Sequence, residues 1–294
     1  MTKEEKISIE AYHALTDIPS KTGLSMLLDR PSTYRKYFLD PPETRETFPV
    51  SKSLREGEAV HVLTLEPETW DERYMVTAAN SRAAKAFQDP ARDNPDKTCL
   101  TIPEYDNVRR MADALLDDPK SRMYLDLRGE PEKSFFYRDP ETGIDLKARP
   151  DFISSDSVCV VDIKTTRDLS PHQFTRDADN FKYWLSPELI FNAVEAVRGV
   201  RPQAYVFLCV ENNGDKRPDT EVYFADADFV ELGHRKLREA LRILKACRKA
   251  NRWPVSGLNP ASLGLPAWRM KELEMMRESD AEAGRAYDSL RHAI

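Results

Sequence analysis

Arg149-Pro150-Asp151-Phe152-Ile153 and, a few residues on, Val158-Cys159-Val160-Val161-Asp162-Ile163-Lys164-Thr165-Thr166 decide how this chain is read. Val158 to Val161 is a continuous apolar run and reads as a buried strand. Asp162 and Lys164 follow it two residues apart, so they project from one face. Asp151 closes a preceding strand, Ile144 to Arg149, and the Asp139-Pro140-Glu141-Thr142-Gly143 stretch before it carries turn chemistry. Two neighbouring strands are therefore expected to bring Asp151 and Asp162 to one spot.

That trio has a chemical logic. Hard divalent cations such as Mg²⁺ take oxygen ligands, so two carboxylates with a substrate phosphate completing the shell form an ordinary Mg²⁺ site, with Mn²⁺ as a substitute. The ion acidifies a bound water and offsets phosphate charge. Lys164 is suited to holding the attacking water or the developing negative charge, and the backbone carbonyl of Ile163 offers one more oxygen ligand. Alone, an Asp-x-Lys pair is more often a strand-end ion pair with no chemistry attached. Here it ends a Val-rich strand, with Pro150-Asp151 eleven residues upstream of Asp162, and that combination matches the PD-(D/E)XK nuclease pattern.

Beyond the trio, the chain resembles the exonuclease domain of the RecE (exonuclease VIII) family. The matching stretches are Glu58-Ala59-Val60-His61-Val62-Leu63-Thr64-Leu65-Glu66-Pro67-Glu68, Arg73-Tyr74-Met75-Val76, Asp139 to Gly143, Arg149-Pro150-Asp151, Asp162 to Thr166, Gly199-Val200-Arg201-Pro202, Tyr205-Val206-Phe207-Leu208, Trp253-Pro254 and Leu265-Pro266-Ala267-Trp268. The resemblance implies an α/β fold with a PD-(D/E)XK nuclease-like mixed central sheet flanked by helices. It also implies a Mg²⁺-dependent exodeoxyribonuclease that degrades linear double-stranded DNA 5′ to 3′. Such enzymes form homo-oligomeric rings and leave 3′ single strands for an annealing protein. By the same resemblance Asp151 and Asp162 are metal ligands, Lys164 is the catalytic lysine, and His61 joins the metal site. From its neighbours Val60, Val62, Leu63 and Leu65 alone, His61 reads as a half-buried helix residue.

One departure stands out. Relatives carry Gln-x-x-x-Tyr on the helix after the active-site strands, whereas the ungapped match here is Ser186 and Ile190, leaving Tyr183, Trp184 or Glu188 to replace the missing contact. A nuclease for single-stranded ends or flaps, and a DNA-binding module without turnover, stay open beside the leading reading. The cysteines Cys99, Cys159, Cys209 and Cys247 are scattered, which sets aside the iron–sulfur branch of these nucleases.

The net charge of −6 argues against a nucleic-acid partner only if charge is uniform, and it is not. Between Arg235 and Arg252 every charged residue except Glu239 is basic, while Leu237, Leu241, Leu244 and Cys247 form an apolar stripe at helical spacing. This helix presents Arg242 and Lys245 either to DNA or simply to water. Arg167, Arg176 and Lys182 follow the active-site strand and are the nearer candidates for phosphate contacts.

With 294 residues, 40% of them hydrophobic, the chain supports one large core with appendages. We expect an N-terminal helical segment (1–52), a nuclease core (53–268) and a charged tail (269–294). No run reaches the roughly 18 apolar residues of a membrane span, and the N-terminus lacks a signal-peptide core, so a cytoplasmic protein without membrane contact is expected. Helices are expected over Thr22–Asp29, after Pro31 with Ser32 as N-cap, over Ser53–Leu65 and Ile102–Leu116, and over Tyr183–Val197 with an interruption at Pro187. Strands are expected over Ala204–Val210 and Glu221–Phe224, joined by the Asn212-Asn213-Gly214-Asp215 turn. Thr77 to Thr101 has no strong period and reads as a partly ordered segment, a candidate lid.

Overall fold

The computed structural model describes residues 2–214, 217–255 and 264–291, with residues 280–291 as backbone only. In chain order come β1 (Lys3–Glu5), α1 (Ile9–Ala14), α2 (Lys21–Asp29), α3 (Pro31–Tyr34), α4 (Lys52–Leu65), α5 (Trp70–Arg73), β2 (Tyr74–Val76), α6 (Lys85–Asp93), β3 (Thr98–Leu100), α7 (Ile102–Asp117) and α8 (Pro119–Leu125). They are followed by β4 (Gly129–Pro131), β5 (Ser134–Arg138), β6 (Asp145–Ala148), β7 (Phe152–Ser154), β8 (Cys159–Thr166), α9 (Pro171–Asn180), α10 (Leu185–Arg198), β9 (Ala204–Glu211), β10 (Thr220–Phe224), α11 (Ala227–Ala250) and α12 (Ala267–Arg291). The backbone divides into Met1–Val255 and a second unit, Ser256–Ile294, which contains α12.

The central sheet has the order β10-β9-β8-β7-β4. β8 and β9 are parallel and the other neighbours antiparallel, so the sheet is mixed. α10 supplies the crossover between β8 and β9 and ends in a left-handed cap at Gly199, whose φ of 71° a side chain would strain. Alternation along β8 sorts its side chains. Val161 and Ile163 pack with Val60 and Val62 of α4 and Val108, Met111 and Leu115 of α7. Val160 faces the other layer with Tyr205 and Phe207 of β9, Leu24 and Leu27 of α2, Leu185 and Leu189 of α10, and Leu237, Leu241 and Leu244 of α11. Asp162 and Lys164 share the face of Val160 by the strand's period of two. Truncating a fully buried member of either layer, such as Ile163 or Leu241, to alanine costs about 2–5 kcal/mol.

A second sheet, β1-β5-β6, stands beside the first. Its β5–β6 hairpin is set by the Asp139–Gly143 turn, where Asp139 Oδ2 accepts from the Thr142 N–H at 2.8 Å and Gly143 takes φ 73°. Lys147 of β6 is buried and donates to the carbonyls of Tyr12 (2.6 Å) and Leu15 (2.7 Å), which ties α1 to this sheet.

Several sequence expectations need correction. The strand before Asp151 ends at Ala148, so Asp151 lies in the link between β6 and β7. Pro187 does not interrupt α10, because it falls in the first turn, where its missing N–H has no partner to lose. Ser32 lies inside α3, with Arg30 as N-cap and Pro31 at the first helical position. Residues 77–101 are ordered: β3 pairs in parallel with β2, α6 follows Ala84, and Ala79, Phe87 and Cys99 form a small core. That order is held by non-local bonds, Arg82 to Glu104 at 2.9 Å and to the Cys99 carbonyl at 2.7 Å. Asp215 of the β9–β10 turn lies outside the described residues.

Candidate active site

β7 pairs with β8 only through Phe152↔Val161 and Ile153↔Val160. Where that ladder stops, side chains take over the backbone groups of β8. The Ile163 N–H donates to Asp151 Oδ2 at 2.7 Å, and the Ile163 carbonyl accepts from His61 Nε2 at 3.0 Å and from Lys164 Nζ at 3.2 Å. Asp162 accepts the Lys164 ammonium on one oxygen and the Tyr205 hydroxyl on the other, the latter at 2.9 Å. The structure thus brings Asp151, Asp162, Lys164, His61 and the Ile163 carbonyl together.

His61 reaches this spot from α4, which covers the opposite face of β8. Because Nε2 must donate to the Ile163 carbonyl, the neutral ring directs the Nδ1 lone pair at Asp151 Oδ2, 3.4 Å away. Burial, with Lys164 adding to it, lowers the His61 pKa to about 4, so the ring is neutral near pH 7. A lone pair facing a carboxylate oxygen is repulsive unless a proton or a cation lies between them.

Glu132 completes the arrangement, and the sequence reading missed it. One ligand atom each from His61, Glu132 and Asp151 lie within 4.8 Å of one another, a spacing that suits a divalent ion. Glu132 follows β4 with φ 53°, a left-handed conformation that costs a non-glycine residue about 1 kcal/mol or more. Arg149 Nε holds its Oε2 at 2.7 Å. The sequence offers only Glu130-Pro131-Glu132 here, and nothing in that pattern says which glutamate turns inward.

The two aspartates titrate as a pair. Burial and the neighbouring Asp162 charge push Asp151 well above the usual carboxylate range. Burial also acts to raise Asp162, but the Lys164 charge and the hydrogen bonds from Asp151, Lys164 and Tyr205 outweigh it and hold Asp162 low. Lys164 is buried too, yet Asp162 and Asp151 raise its pKa, so it stays cationic. Without an ion, one proton shared by the pair reduces a cluster of like charges. One neutral imidazole with neighbouring carboxylates is a donor set that fits a divalent ion in place of that proton.

These groups line a cavity of about 740 Å³ walled by α1, the start of α2, α4, β6 and α10. Ser186 and Ile190, the positions matched to Gln-x-x-x-Tyr, both line it, as do Tyr183 and Lys21; Glu188 faces away, bonded to Arg201 and His234. Burial and the nearby Lys164 lower Lys21 to about 8. The candidate DNA contacts are dispersed. Arg167 lines a neighbouring cavity, Arg176 is exposed on α9, and Lys182 is paired with Asp29 at 2.8 Å. Arg242 and Lys245 are exposed on α11 and line neither cavity, with Arg242 3.5 Å from Glu141.

A family model described as a PDDEXK-like domain of unknown function (DUF3799) matches residues 43–259. The chain belongs to that family. Membership in this PDDEXK-like family agrees with the mixed sheet and with the placement of Asp151, Asp162 and Lys164 at the end of the β7–β8 ladder. No curated protein matches in sequence. Among solved structures, the chain is similar to a protein from Eubacterium rectale described as a candidate exonuclease, with TM-score 0.61 and 14% identity, covering 89% of this chain and 96% of the other. At that identity the likeness establishes the shared nuclease-like fold. An alkaline exonuclease from Laribacter hongkongensis aligns with TM-score 0.28 and 13% identity over 57% of this chain and 87% of its own. No helix among the described residues is long and apolar enough to cross a membrane.

Proposed function

We propose that this PDDEXK-like protein is a Mg²⁺-dependent exodeoxyribonuclease that degrades linear double-stranded DNA from its ends, 5′ to 3′ as the RecE resemblance implies. The observation that supports it most is the meeting of Asp151, Asp162 and Lys164 with His61 and Glu132 where the β7–β8 ladder ends. His61 Nδ1, Glu132 and Asp151 would hold the ion, with Asp162 as a further oxygen donor; the Ile163 carbonyl already accepts from His61 Nε2, on the far side of the ring, and from Lys164, and is not free to join them. A bound divalent ion supplies an acidified water and offsets charge on the scissile phosphate. Asp162 keeps Lys164 charged, so the lysine acts as a fixed cation toward the phosphate, not as a proton acceptor. Tyr205 and Lys164 between them orient Asp162. The carboxylate oxygens of the donor set also suit Mn²⁺.

Residues 53–268 would form the nuclease core, with 1–52 as a helical segment packed on it and 269–294 as a charged tail. The resemblance extends the proposal to a homo-oligomeric ring that threads the duplex, works in the cytoplasm and hands 3′ single strands to an annealing protein. Digestion of end-labelled linear duplex, single strand and closed circle with Mg²⁺, Mn²⁺ or EDTA tests the reading. Metal-dependent shortening of linear duplex alone supports it. A second reading, action on single-stranded ends, is motivated by Ser186 and Ile190 lining the cavity in place of glutamine and tyrosine. Preferential loss of the single strand favours that reading, and no product with any metal leaves a DNA-binding module.

A further inference from the structure

Phe181 is 59% exposed, an unusual position for a phenylalanine so near a charged site. Single exposed apolar residues are common and need no function. This one belongs to a stack. Its ring lies on Tyr183 at 5.7 Å and 21°, and Tyr183 in turn lies on buried Phe207 at 6.1 Å and 29°. The Lys164 ammonium sits 5.2 Å from the centre of the Tyr183 ring, and Lys21 sits 5.4 Å from it. An aromatic ladder therefore runs from the proposed catalytic lysine to solvent.

The turn carrying Phe181 is held in place. Lys21 Nζ donates to the Phe181 carbonyl at 2.6 Å, and Lys182, at φ 52°, pairs with Asp29 at 2.8 Å. Both anchors come from α2, so the exposed ring is presented by a rigid frame. Tyr183 is also where two cavities meet: the one holding Asp151, Asp162 and Lys164, and a second of about 840 Å³ lined by Phe181, Ser51, Lys52, Ser53, Arg167 and Gln173 among others. Glu56, Asp168 and Asp177 line the second cavity as well, with Glu56 paired to Lys52 and Asp177 accepting from Gln173, so Arg167 and the Ser51 and Ser53 hydroxyls are the groups that suit a phosphate backbone, while an aromatic face suits a base.

We propose that Phe181, backed by Tyr183, is a stacking platform for a nucleobase of the DNA strand whose phosphate lies at Asp151, Asp162 and Lys164, and that this strand continues into the second cavity past Arg167. The inference rests on the nuclease reading above, and it names the group that grips the strand. Stacking on a π face tolerates any base, so the platform serves a sequence-independent nuclease.

Binding in EDTA separates this proposal from catalysis. A short single-stranded oligodeoxynucleotide is titrated, either intact or with an abasic residue moved along its end, against the whole wild-type protein, Phe181→Ala and Phe181→Trp. Phe181→Ala is expected to weaken binding of intact DNA by about 5- to 150-fold. One abasic position should weaken wild-type binding similarly and cause no further loss in Phe181→Ala, the non-additivity of a direct contact. Phe181→Trp should retain affinity and be quenched by intact DNA more than by the abasic form. With Mg²⁺, KM should rise in Phe181→Ala more than kcat falls. Equal affinity of wild type and Phe181→Ala for intact DNA, or additive losses at every abasic position, overturns the platform. Asp162→Asn digesting DNA at the wild-type rate would instead overturn the nuclease reading, leaving the binding result to stand.

Discussion

The backbone N–H of Ile163 donates to the carboxylate of Asp151 at 2.7 Å, a bond that replaces a missing rung of the sheet. It fixes Asp151 beside β8 without placing it in a strand. The same carboxylate oxygen faces His61 Nδ1 at 3.4 Å, the gap that an ion or a proton would fill. Asp151→Ala and Asp162→Ala are each expected to abolish metal-dependent DNA cleavage, read on end-labelled duplex, with the far-ultraviolet circular dichroism spectrum unchanged. Lys164→Ala should lower turnover while Mg²⁺ or Mn²⁺ affinity by calorimetry changes little, because the lysine acts on the phosphate and not on the ion. Wild-type rates in Asp162→Ala would falsify the site.

Glu132 provides a sharper test, since only the tertiary structure picks it out. Glu132→Gln should weaken Mn²⁺ binding by at least the roughly 10- to 100-fold that loss of a group merely supporting a ligand costs. His61→Ala should do the same through loss of Nδ1. The thermal shift that Mn²⁺ gives the wild type should shrink in both variants. An undiminished shift in Glu132→Gln would place the ion elsewhere.

Glu104 links acid stability to the segment 77–101. Burial acts to raise its pKa, but hydrogen bonds from Arg82, the Thr101 N–H and Arg55 outweigh this and lower it to about 2. A depressed carboxylate contributes stability that is fully present above its unfolded pKa and is lost as pH falls through the folded one. Glu104→Gln should therefore destabilise the protein by about 1–3 kcal/mol at neutral pH. The gap to wild type should begin to close below pH ~4.5 and disappear only as pH falls below ~2. Equal denaturant midpoints at neutral pH would show that these bonds contribute nothing net.

Charge reversals rank the proposed DNA contacts. Phosphate neutralisation gives a salt slope of about −0.9 per contact on duplex DNA. Arg167→Glu, beside the stacking turn, is expected to flatten the slope by about one contact. Arg242→Glu with Lys245→Glu on α11 should flatten it less per charge, since neither side chain lines a cavity. A larger effect on α11 would move the duplex path to that helix.

Much of this protein was legible in sequence wherever the signal is local. The apolar run before Asp162 predicts β8, strand alternation puts Asp162 and Lys164 on one face, and the stripe Leu237, Leu241, Leu244, Cys247 predicts the buried side of α11. These follow from fixed periods of two and 3.6 residues, which neighbours in the chain determine by themselves. The inward turn of Glu132, the bond from His61 to Ile163 and the order of residues 77–101 are of another kind. Each depends on a ladder that stops early or on a partner tens of residues away, and a one-dimensional pattern carries no record of either. Sequence alone settled which strand bears the acid–lysine pair; only the packing of α4, β4 and α2 around the middle of β8, where its pairing with β7 stops, decided which other groups join it, because convergence there is a property of three-dimensional contact and not of spacing along the chain.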